Sequence, residues 1–142
     1  MKIFVEIILP ILADILLVLI VAFFAASETA FLSITRVTLH QMIKKDGDKK
    51  NTPAKKIQFL KKDTNRLLSL ILIGINFVTS LASGLAAMIA IKIAGNSGST
   101  YATIIISFVL IVFGEIMPKT VAAVYPVQMA GIFASPLIFL EK

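Results

Sequence analysis

Residues 3–26 of this chain are almost all apolar, and so are residues 67–94 and 101–117. A hydrocarbon core about 30 Å thick is crossed by roughly 20 helical residues. Only a helix or a closed barrel satisfies its own backbone there, and unbroken runs of this length are not the alternating pattern of strands. The fold class expected is therefore all-α integral membrane, with three transmembrane helices at about 4–34, 67–94 and 101–117. Composition agrees: 58% of the 142 residues are hydrophobic, and the mean hydropathy is +0.94. A soluble domain is closer to half apolar.

What the chain lacks narrows its chemistry. It has no cysteine and a single histidine, His40. That excludes a disulfide framework, a thiolate metal site and a cysteine nucleophile, and leaves neither a zinc site nor a Ser-His-Asp triad, so no enzyme is expected. The net charge of +6 is unevenly placed. Residues 36–66 hold ten of the fourteen cations against Asp46, Asp48 and Asp63, while the rest of the chain is close to neutral. Between two spans, such a segment reads as the cytoplasmic loop of the positive-inside rule rather than a nucleic-acid surface. Two amphipathic pieces flank an Asp46-Gly47-Asp48 turn, so residues 36–65 are expected as a juxtamembrane helical hairpin with lysines toward anionic headgroups.

The termini of the spans refine this. Lys2 followed by an apolar stretch invites a signal peptide cleaved near Ala25 and Ser27, but the run continues through Phe31 and Ile34, too long for one. Pro10 is expected to bend the first helix. Gly95-Asn96-Ser97-Gly98-Ser99-Thr100 reads as a tight outer turn, and Lys92 as a snorkelling side chain. Residues 120–140, interrupted by Pro126 and Pro136, fit either a fourth span or a belt along the inner face.

Polar groups inside apolar spans point to function, because each needs a partner there. Glu6 falls at the outer interface, and Asp14 lies deeper and must face protein or water. Ser27, Glu28 and Thr29 sit toward the inner half of the first span; Ser27 can bond back to its own helix, while Glu28 needs a counter-charge, a proton or a cation. Ser69, Asn76, Ser80, Ser83 and Ala87 share one face of the second span, where Ser80-x-x-x-Gly84 also suits close helix packing. In Gly114-Glu115-Ile116-Met117-Pro118-Lys119 the proline has no N–H for the carbonyl of Gly114. That oxygen then stands beside the Glu115 carboxylate. The plain reading is a helix that kinks and ends at the cytoplasmic surface. The sharper one gathers oxygen donors from three spans (Ser27, Asn76 with Ser80, Gly114 with Glu115) as ligands for a hard cation such as Mg²⁺ or Na⁺.

Ser27-Glu28-Thr29-Ala30, Ile73-Gly74-Ile75-Asn76 and Phe113-Gly114-Glu115-Ile116-Met117-Pro118-Lys119-Thr120 together resemble the CorC/CNNM transmembrane domain, also called the domain of unknown function 21. The resemblance covers essentially the whole chain, and Gly-Glu-x-x-Pro-Lys is its most specific element. It implies a homodimeric, Na⁺-coupled Mg²⁺ exporter, with Mg²⁺ as transported substrate, Na⁺ as coupling ion and a metal site at Ser27, Asn76, Gly114 and Glu115. It implies a belt helix at 120–140 after the third span, and a cytosolic CBS-pair domain that follows in full-length members and is absent from this chain. The expected location is a bacterial or archaeal plasma membrane, with the N-terminus outside and the hairpin and C-terminus cytoplasmic. The family often has Gly-Asn-Asn where this chain has Gly74-Ile75-Asn76, and another asparagine near Thr79; Ser80, Thr79 or Ser83 then become possible second-span ligands. Glu28 or Asp14 could serve a Na⁺ site. A passive divalent-cation channel or importer and a non-transporting, dimerising membrane anchor are the rival functions.

Overall fold

The computed structural model describes residues 1–47 and 52–141. Asp48, Lys49, Lys50 and Asn51 of the expected hairpin, and Lys142, lie outside the described residues. Helices carry the fold, and no strand occurs among the described residues. In order they are α1 (Leu9–Ser33), preceded by a π-helical turn Phe4–Ile8, then α2 (Arg36–Asp46), α3 (Pro53–Lys61), α4 (Thr64–Ala94), α5 (Asn96–Val109), a second π-helical segment Leu110–Ile116, α6 (Met117–Val124) and α7 (Pro126–Glu141). Three continuous stretches are long and apolar enough to cross a membrane: Phe4–Ser33, Thr64–Ala94 and Asn96–Val124. The chain is an all-α integral membrane protein.

The third span differs from its expected 101–117 at both ends. The polar stretch after Gly95 is not a turn but the start of α5, and the link between α4 and α5 is Gly95 alone, at φ +76°. That conformation suits glycine, which has no Cβ to clash. Thr103 then folds its hydroxyl back onto the Ser99 carbonyl at 2.9 Å, so the small polar residues stay helical. The inner end does not stop at Met117. Met117 N–H reaches five residues back to Val112, so the bonding is already in the wider register where Pro118 arrives. A π-turn displaces the carbonyl that the proline ring would strike, and the helix runs on to Val124. The first span repeats this arrangement: its π-turn ends at Ile8, two residues before Pro10. Each of these prolines thus follows a local widening of its helix.

Local signals set the basic segment between the first two spans. Thr35 caps α2 through Thr38 N–H at 3.1 Å, Thr52 caps α3 ahead of Pro53, and Asp63 caps α4 through Arg66 N–H at 3.0 Å. These are the side chains that satisfy the free N–H groups of a first turn. Tyr125 leaves helical geometry at φ −123° and ψ 58°, and Pro126 opens α7. The segment expected at 120–140 as one belt is thus divided, its first part belonging to the third span. With 16 residues, α7 is about 24 Å long, short of the 30 Å hydrocarbon thickness.

Alanine, valine and phenylalanine on α1 form the centre of the packing: Val18, Val21, Phe24, Ala26, Ala30 and Phe31 are buried. Against them pack α4, the π-segment Leu110–Ile116, α6 and α7. Phe23 meets Phe133 of α7 edge-to-face at 5.0 Å. At the hairpin end of the bundle α3 joins α7, where Lys56 donates to the Ser135 hydroxyl at 2.7 Å. Lys61 reaches the end of α1 and donates to the carbonyls of Phe31, at 2.8 Å, and Ile34. Burial pushes its pKa below the ordinary lysine value of 10.5. Two lysines of the basic segment thus make contacts within the protein, and for Lys61 the reason is that the last carbonyls of α1 need donors and carry the negative end of its dipole.

Candidate functional site

Two glycines bring the other spans onto one turn of α1. A Cβ at Gly74 of α4 would lie 2.7 Å from Cζ of Phe24, and one at Gly114 would lie 3.3 Å from Cγ1 of Val21. Val21 and Phe24 are three residues apart and share a helix face. Ser27, one turn further inward, is fully buried. The backbones of α4 and the third span thus close onto side chains of α1 within two turns of Ser27, because the sequence leaves out side chains at the two points of contact.

Of the residues expected to bind a cation, Ser27 and Gly114 lie in this packed zone and Asn76, Ser80 and Glu115 do not. Ser27 Oγ donates to the Phe23 carbonyl at 2.7 Å, the back-bonded form, which leaves its lone pairs for another donor or a cation. Asn76 and Ser80 are exposed on α4, and Ser80 Oγ donates to the Asn76 backbone carbonyl at 2.9 Å. Gly114 is buried and Glu115, its neighbour, is exposed. The buried stripe of α4 is Leu67, Ile71, Val78 and Ala82, so the face carrying Asn76, Ser80 and Gly84 looks away from the chain. Nothing approaches within 4 Å of a Cβ placed on Gly84; the Ser80-Gly84 pattern is not used within this chain.

The carboxylates divide sharply. Glu28 has its counter-charge: Lys119 Nζ stands 3.4 Å from its Oε2. This pair joins α1 to α6 and was not legible from sequence spacing, since 91 residues separate its members. Glu115 has no ion pair among the described residues. Asp14 lines an apolar cavity of about 370 Å³ between α1, α4 and α5, with Ile11, Ile15, Ala90, Tyr101 and Ile106. Its Oδ1 is buried without a hydrogen-bond partner among the described residues. No cluster of three His, Cys, Asp or Glu suited to a metal occurs among the described residues.

Comparison with known proteins yields one family and several relatives. Residues 12–142 match the family described as the cyclin M transmembrane N-terminal domain. The chain is 39% identical over 109 residues to the UPF0053 inner membrane protein YfjD of Escherichia coli, covering 77% of this chain and 24% of that protein. It is 37% identical over 117 residues to a UPF0053 protein of Haemophilus influenzae, covering 82% and 27%. A chloroplastic DUF21 domain-containing protein of Arabidopsis thaliana is 28% identical over 120 residues, covering 84% and 18%. The chain spans about a quarter of the length of the two bacterial relatives.

Proposed function

The chain belongs to the cyclin M transmembrane domain family, and on that premise we propose that it carries Mg²⁺ across the membrane, as a Na⁺-coupled exporter. The observation that carries this reading is the unequal pairing of two carboxylates. Lys119 neutralises Glu28, whereas Glu115, in an apolar span and beside buried Gly114, has no cationic partner among the described residues. An unpaired charge in such a place is costly unless a cation, water or another chain meets it. The donors expected at the site are oxygens throughout: Ser27 hydroxyl, Asn76 amide, Ser80 hydroxyl, Gly114 carbonyl and Glu115 carboxylate. That set suits Mg²⁺ or Na⁺ and no soft metal.

Mg²⁺ gives up its water reluctantly and demands close ligands at near-octahedral angles. In this reading α4 and the third span rotate about their axes to bring Asn76 and Glu115 toward Ser27 as the ion arrives, and the π-segment Leu110–Ile116 is the place where the third span adjusts. The amide and carboxylate that face away from the chain also support a homodimer in which a second copy covers α4, since polar groups in hydrocarbon draw helices together. The hairpin and α7 then lie on the cytoplasmic side with the N-terminus outside, as the basic charge of residues 36–66 favours. The cytosolic CBS-pair domain is the expected partner in a longer protein. Na⁺ coupling and export follow from the family resemblance.

Mg²⁺ flux in proteoliposomes, with and without an opposing Na⁺ gradient, tests all of this. Wild type is expected to move Mg²⁺ only with the gradient, and Glu115→Ala to lose at least tenfold of that rate. Flux indifferent to Na⁺ would indicate a channel. Absence of flux in folded wild-type protein would favour the anchor.

A further inference from the structure

Lys119 and Glu28 meet across the contact between α1 and α6, 3.4 Å apart and only partly exposed, at 41% and 30%. Each stands next to a donor of the proposed cation site. Glu28 follows Ser27 in α1, and Lys119 lies four residues after Glu115. A glutamate followed four residues later by lysine ordinarily pairs within its own helix. Here the wider turn Leu110–Ile116 ends between them, and the ammonium crosses to α1 instead. Two carboxylates thus stand near the inner ends of α1 and the third span, and among the described residues one internal ammonium serves one of them.

We propose that Lys119 is a tethered competitor for the transported cation. Glu28 is then a docking ligand on the cytoplasmic approach, and a divalent cation takes it by displacing the Lys119 ammonium. This rests on the Mg²⁺ reading above. A carboxylate is a hard donor open to either cation, and at equal distance a double charge is attracted twice as strongly. The tether holds the ammonium at high effective concentration, so the pair closes again once the ion has moved on. Partial exposure lets the ion reach Glu28 without unpacking the core. Displacement also cuts the one ion pair, among the described residues, that joins the helix bearing Ser27 to the helix bearing Gly114 and Glu115. Ion arrival and helix movement are thereby linked.

The test is thermal unfolding of the purified chain in detergent as a function of Mg²⁺ concentration. Lys119→Met should lower the concentration giving half the maximal shift by roughly fivefold, the scale of a partly exposed ion pair. Lys119→Arg should restore the wild-type midpoint. Glu28→Gln should raise it, and adding Lys119→Met to Glu28→Gln should change nothing further. A midpoint unchanged or raised in Lys119→Met, or a gain that survives loss of Glu28, overturns the proposal. Should Lys119→Met not fold, Glu28→Gln alone decides: an unchanged midpoint overturns it. Glu115→Ala separates the two readings. If it abolishes the Mg²⁺ shift while the Lys119 and Glu28 variants leave the midpoint alone, the cation site stands and the competitor falls. If wild type shows no Mg²⁺ shift, both fall.

Discussion

Gly74 and Gly114 act through the atoms they lack. A methyl group on Gly74 would enter the Phe24 ring, and that ring is held in turn against Phe23 at 5.2 Å. Gly74→Ala must therefore push α4 from α1 or turn a packed ring, at a cost of about 2 kcal/mol. At Gly114 the nearest atom is a valine methyl at 3.3 Å, which yields more easily, so Gly114→Ala should cost on the order of 1 kcal/mol. Thermal unfolding in detergent should rank the two in that order, and Phe24→Leu should return part of the loss in Gly74→Ala. Equal stability of both variants and wild type would mean that the glycines do not set the helix spacing. Ser27 shows a different limit at this scale. Its bond to Phe23 is the ordinary habit of a membrane serine, so its hydrogen bond alone says nothing of a ligand; its complete burial beside the contacts at Val21 and Phe24 is what keeps it a candidate.

Among the elements, α3 carries more than its basic composition suggests. Its lysines are divided between solvent and structure. Lys61 closes the end of α1 by donating to Phe31 and Ile34, and Lys56 ties α3 to Ser135 on α7. Lys61→Met keeps the aliphatic stem but leaves those carbonyls without their donor, at about 1–2 kcal/mol. A lower unfolding temperature with retained helix content by circular dichroism is the expected result; wild-type stability would show that water replaces the ammonium at no cost. The prolines of the spans are equally a matter of the element. Pro10 and Pro118 each stand two residues past a π-helical segment. The N–H that Pro118 lacks would serve Gly114 in the α register and Phe113 in the wider one.

For the whole molecule, the face of α4 with Asn76, Ser80 and Gly84 is one of the surfaces that a single chain leaves without protein contact, and it carries the polar and small residues. In a dimer built on it, the small residues would let two copies of α4 approach closely. The absence of native cysteine makes this simple to test. Gly84→Cys in membranes should give a disulfide-linked dimer under mild oxidation, while Leu12→Cys on the outer part of α1 should not. Cross-linking at both positions or at neither would count against this interface.

Three spans, a basic segment between the first two and a Gly-Glu-x-x-Pro-Lys motif were readable because run length and charge asymmetry are one-dimensional properties, written directly in residue order. Span ends were less so: Asn96 to Thr100 look like a turn, yet after the single link at Gly95 they form the first turn of α5. The residue types at Ser27, Asn76, Ser80, Gly114 and Glu115 were equally plain, but not which of them the chain buries. That depends on how helices rotate about their axes, which glycine contacts at Val21 and Phe24 decide. The pairing of Lys119 with Glu28 rather than Glu115 is likewise a tertiary outcome, because a lysine side chain reaches whichever carboxylate the packing of α1 against α6 brings within a few ångströms.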